Sequence, residues 1–116
     1  HITSDEILTW NQIFRLVAKA AGVAEVDLVH VPSAFINAFD PDWGAGLLGD
    51  KTYSVWFDNT KIKRLVPDFV ARIPFAEGAR EIVDWFDADS ARQRVDPSWN
   101  RKFDTIIEAY RASLPG

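Results

Sequence analysis

The chain of 116 residues contains no cysteine. That excludes disulfides, thiol nucleophiles and zinc–cysteine sites. It also contains no methionine and opens on His1-Ile2-Thr3-Ser4, which reads as a strand already under way and so as a piece of a longer protein. Tyrosine is scarce, with two residues. Phe57 stands four positions after Tyr53 and Leu114 four after Tyr110, so there is no Tyr-x-x-x-Lys pair, in which an ammonium helps a tyrosinate act as base. No apolar run approaches the roughly 20 residues that span a membrane, and no signal peptide is visible. A cytoplasmic protein without a membrane partner is the expectation.

Positive charge is short in the first half. Residues 1–50 carry 2 Lys or Arg against 7 Asp or Glu, residues 51–116 carry 11 against 10, and the net charge is −4. Such a chain is poorly suited to a phosphate backbone, which needs a basic face to release counterions. Lys61, Lys63 and Arg64 are too few to change that and read as a solvated helix face. Histidine is equally sparse. His30 sits in an apolar run without a second His or a spaced carboxylate, so it reads as a core imidazole, with a pocket-lining donor the alternative, and no metal site is expected.

What the chain does have is apolar content of 47%, with five Trp and eight Phe. A packed core follows, together with rings enough to serve a surface that docks on another domain. Thr9-Trp10-Asn11-Gln12 has the form of a capping box, Trp10, Ile13, Phe14, Val17 and Ala21 form one helical stripe, and Gly22 suits the helix end. Short strands are expected at residues 1–4, at Leu28–Val31 before Pro32, and over Tyr53, Val55 and Phe57. Ser33 caps a brief helix through Phe39, and Asp40-Pro41-Asp42 reads as a turn. Asp58 or Asn59 caps a helix through Leu65. Pro74 suits the first position of a helix through Phe86 with Phe75, Ala79, Ile82, Val83 and Phe86 inward. A last helix starts near Pro97 and carries Trp99, Phe103, Ile106, Ile107, Tyr110 and Leu114. The expected class is α/β, helix-dominated with a few short strands.

Gly44-Ala45-Gly46-Leu47-Leu48-Gly49 has the spacing G-x-G-x-x-G. A dinucleotide site needs that spacing to leave a strand and open a helix, whereas here it follows Asp40-Pro41-Asp42-Trp43. A glycine-rich loop lining a pocket is the expectation. Trp43 offers a stacking face, the glycines close approach, and Asp50 and Lys51 polar and charged groups, so these three residues are the candidate substrate site. No catalytic, cofactor-binding or metal-binding residue is expected within the chain.

Three stretches together resemble the C-terminal part of extended short-chain dehydrogenases/reductases, the NAD-dependent epimerase/dehydratase family. They are His1-Ile2-Thr3-Ser4 with its capped helix to Gly22, the Asp58-Asn59-Thr60-Lys61 turn, and the Pro74–Trp85 helix. The resemblance implies a substrate-binding lobe over residues 1–89, with 90–116 a helical extension packed on the same domain and the Rossmann domain absent. It further implies NAD or NADP in the full-length protein and none held by this part. The implied partners are its own N-terminal Rossmann domain and a sugar, nucleotide sugar or similar small polar substrate, with homodimerisation open to the full-length protein. Nucleotide-sugar enzymes of this kind carry an Arg shortly before a Gly-Asp pair. Here Leu47 and Leu48 precede Gly49-Asp50, and Lys51 lacks the bidentate fork. An RNA-binding branch of the family and a stand-alone interaction domain are the alternatives.

Overall fold

The computed structural model describes residues 1–115. It is helix-dominated, with six α-helices and one 3₁₀ turn and, among the described residues, no β-strand. The α/β expectation is thereby corrected to a mostly helical class. The contacts divide the chain into two units, each built from two segments: His1–Leu28 with Val55–Gln93, and Val29–Ser54 with the chain from Arg94 on.

In the first unit, α1 (Trp10–Ala20) begins as its sequence demands. Thr9 Oγ1 accepts from the Gln12 N–H while the Gln12 side chain accepts from the Thr9 N–H at 2.7 Å. Both groups would otherwise lack a partner at the helix start. Gly22 ends the helix at φ 74°. This left-handed turn lets Gly22 N–H reach the Lys19 carbonyl and Val23 N–H the Ala18 carbonyl. Helix α4 (Thr60–Leu65) is opened by Asp58, which accepts from the Thr60 N–H at 2.8 Å.

Helix α5 (Phe75–Asp87) packs against α1. Pro74 is its N-cap residue rather than its first helical one, and it has no side-chain acceptor to offer. Glu6 supplies one from far along the chain, accepting from the Phe75 N–H at 2.7 Å. A carboxylate at a helix N-terminus also meets the positive end of the helix dipole. The other end of α5 is closed by the 3₁₀ turn Ser90–Arg92. Arg92 donates to the Trp85 carbonyl at 2.6 Å and lies over the Trp85 ring at 4.2 Å.

The covered side of the α1–α5 pair is shown by burial. Ala79 is 2% exposed, and Ile13, Leu16, Ala20, Gly78 and Val83 are half-buried. The expected stripes are covered only in part: Ile13 on α1 and Phe75, Ala79 and Val83 on α5 are buried or half-buried, whereas Trp10, Phe14 and Val17 on α1 and Ile82 and Phe86 on α5 are exposed. Each helix therefore has a second apolar side beyond the one its neighbour covers.

The second unit contains α2 (Ser33–Phe39), α3 (Pro41–Gly49) and α6 (Pro97–Ser113), with α2 packed on both α3 and α6. Ile106 of α6 is its buried apolar residue, and Phe35 stacks edge-on against Tyr110 with centroids 5.2 Å apart. The expected glycine-rich loop is helix α3. Asp40 is its N-cap and accepts from the Trp43 N–H at 2.9 Å, while Pro41 holds the first helical position. Asp40-Pro41 is thus a helix start rather than a turn, by the same logic that begins α6 at Asp96-Pro97.

None of the three expected strands forms. Strand preference is a preference for pairing and half-burial, realised only against a neighbouring strand. Residues 28–31 and 53–57 make no ladder, and the segment from His1 to Ser4 is held by a side chain instead. The His1 ring lies 4.5 Å from that of Phe57. His30 is exposed, not the enclosed imidazole its apolar surroundings in sequence indicated.

Candidate functional site

The residues expected to meet a substrate all lie in the second unit, on α3 or just after it. Trp43 projects from the first turn of α3 and is half-buried. Its ring meets Trp99 edge-on at 6.0 Å and Phe103 at 5.7 Å, so its known neighbours are aromatic side chains of α6. Asp50 is the C-cap of α3 and pairs with Lys51 at 2.9 Å, both side chains being exposed. The Lys51 ammonium holds the Asp50 carboxyl below the usual carboxylate range, through a hydrogen bond and through its charge. The structure thus joins Asp50 to Lys51, whereas Trp43 belongs to the aromatic cluster. Thr52 closes the helix by donating to the Leu47 and Leu48 carbonyls.

Beside that cluster Lys102 forms an ion pair with Asp40 and sits 4.5 Å above the Trp99 ring. The hydrogen bond from Lys102, followed by that from the Trp43 N–H, keeps the Asp40 carboxyl low. Asp40 therefore ties the start of α3 to α6 while it caps α3. The sequence marked Asp40 as turn chemistry but held no signal for Lys102, which lies 62 residues away.

The glycines of the G-x-G-x-x-G spacing have distinct surroundings. A Cβ at Gly44 would stand 2.4 Å from both Cα and Cβ of Asn37, whereas Gly46 and Gly49 face open space. Gly44 is needed because α2 crosses α3 there. The motif is a helix-packing contact, and the space at Gly44 that a pyrophosphate cradle would need is filled by Asn37.

The first unit holds a polar cluster that reading along the chain did not assemble. Asn59 is 6% exposed. Its Oδ1 accepts from the Thr3 N–H at 3.2 Å, and its Nδ2 donates to the Thr3 carbonyl at 2.9 Å and to Asp5 Oδ1 at 3.0 Å. The amide orientation follows from chemistry, because a carbonyl and a carboxylate can only accept. One side-chain amide thus serves both backbone groups of Thr3, as a paired strand would. Asp5 also binds Lys63 at 2.6 Å. The Asn59 amide first, and then Lys63, hold the Asp5 carboxyl below its ordinary value. Asn59 occupies the N-cap position of α4, as the sequence allowed for it or Asp58, but its side chain makes no capping hydrogen bond and its partners are 54 to 56 residues away.

Residues 3–8 and 55–59 line a cleft of about 450 Å³ beside this cluster. Its rim includes Ile7, Val55, Trp56 and Phe57, all exposed, Trp56 by 72%. Among the described residues no group of three His, Cys, Asp or Glu is placed to hold a metal ion, and no helix is long and apolar enough to cross a membrane. No family model, curated protein or solved structure matches this chain.

Proposed function

We propose that this chain is the substrate-binding C-terminal lobe of an extended short-chain dehydrogenase/reductase of the epimerase/dehydratase kind. Its substrate would be a sugar, nucleotide sugar or similar small polar molecule. The reaction would be hydride exchange with NAD or NADP held by a Rossmann domain, at residues outside this chain. Trp43, Asp50 and Lys51 are the residues proposed to meet the substrate. The motif likeness in His1–Ser4, Asp58–Lys61 and Pro74–Trp85 supports the family reading. The chain's own G-x-G-x-x-G does not fit a dinucleotide, so no chemical step is assigned to it.

The observation that carries the lobe reading is the amount of uncovered surface. The chain exposes 9520 Å². Two separate compact bodies of the sizes of its units would expose roughly 7,700 Å² together. The excess, about 1,800 Å², is more than twice the roughly 800 Å² that each partner buries in a standard interface. Much of it is large and apolar, including Trp10, Phe14, Val55, Trp56, Phe57, Ile82 and Trp85. Exposed apolar surface of this extent marks a face that another protein surface covers, as a lobe seated on a second domain requires. The acidic first half weighs against the RNA-binding alternative.

The coding sequence immediately upstream of His1 provides the test. A glycine-rich strand–turn–helix followed by Tyr-x-x-x-Lys is the expected finding. A start codon close before His1 with neither motif would end the enzymatic reading. At the protein level, the separately produced chain should bind an apolar-surface dye strongly, and a polypeptide that includes the upstream region should bind it weakly. Equal dye binding by both would remove the proposed domain contact.

A further inference from the structure

We draw no further inference here: the strongest candidate, the apolar-rimmed cleft that residues 3–8 and 55–59 line in the first unit, is an unpartnered surface, and nothing in the structure shows what covers it.

Discussion

Replacing the first two glycines of Gly44-Ala45-Gly46 with alanine, one at a time, should move stability in opposite directions. Both residues lie inside α3, where alanine is intrinsically favoured over glycine by about 1 kcal/mol. At Gly46 the new methyl meets open space, so Gly46→Ala should raise stability by up to about 1 kcal/mol. At Gly44 the new Cβ would lie 2.4 Å from the Cα and Cβ of Asn37. Carbon atoms prefer roughly 3.5–4.0 Å, so α2 and α3 must separate by about 1 Å. Overpacking of this kind costs about 1–3 kcal/mol. After the helix gain is subtracted, Gly44→Ala should still be destabilising by up to about 2 kcal/mol. Urea denaturation of the two variants, followed by circular dichroism at the helix band, gives both numbers. Equal effects at the two positions would refute the close crossing of α2 and α3. Destabilisation at Gly46 would refute the helical assignment of the segment and restore the flexible loop.

Asn59→Ala should lower the stability of the first unit by about 2 kcal/mol, for two hydrogen bonds to the Thr3 backbone at about 1 kcal/mol each; a loss below about 0.5 kcal/mol would mean that water serves Thr3 equally well. Asn59→Asp should be no better than alanine at pH 7, since it sets a second carboxylate against Asp5 and the Thr3 carbonyl; wild-type stability at that pH would contradict the amide orientation. The folded-state pKa of Asp5 is depressed, so its contribution to stability is present above the unfolded value of about 3.9 and is lost as pH falls through the lower folded value. The stability difference between wild type and Asp5→Asn should therefore be constant from pH 5 to 7 and shrink below pH 4, and a difference that grows with acid would reverse the sign. On the proposed reading, Lys51→Ala in the full-length protein should raise KM for an anionic substrate and leave kcat unchanged, because the lysine is exposed and paired to its neighbour; an unchanged KM would remove it from the site.

Several helix ends with a local signal were legible in the sequence. Thr9 with Gln12, Gly22, and Pro97 each start or terminate a helix within a few residues, so no knowledge of the fold is required. Asp40-Pro41 carries the same start signal as Asp96-Pro97, but three glycines in the following nine residues obscured it. Glycine lowers helix propensity, and the packing of α3 on α2 outweighs that cost at a site where only glycine fits. The Asn59 cluster was illegible for the opposite reason. Its partners, Thr3 and Asp5, are brought to it by the fold, and an Asn beside a helix start has a more familiar local use as a cap. The three segments expected as strands form none, because composition cannot supply the neighbouring strand.

The stripes of α1 and α5 show how a periodicity can be read accurately and still be only partly covered. A helix with one apolar side has one orientation against a core, and its stripe identifies that side. Helix α1 has two: Ile13, Leu16 and Ala20 lie toward the covered side, while Trp10 and Phe14, 68% and 54% exposed, lie away from it. The larger residues dominate any count of apolar character, so the stripe read from the sequence joins residues of the covered side to residues of the outer one. Helix α5 repeats the arrangement, with Ala79 and Val83 inward and Ile82, Trp85 and Phe86 outward. Stabilisation scales with buried apolar area at about 25 cal/mol per Å², and Ile13, Leu16, Phe75 and Val83 are only half-buried, while Trp10, Phe14, Ile82, Trp85 and Phe86 stay exposed. The exposed rings are thus the part of each periodicity that the packing of α1 on α5 leaves uncovered, and a count of apolar residues along the chain cannot separate that part from the covered one.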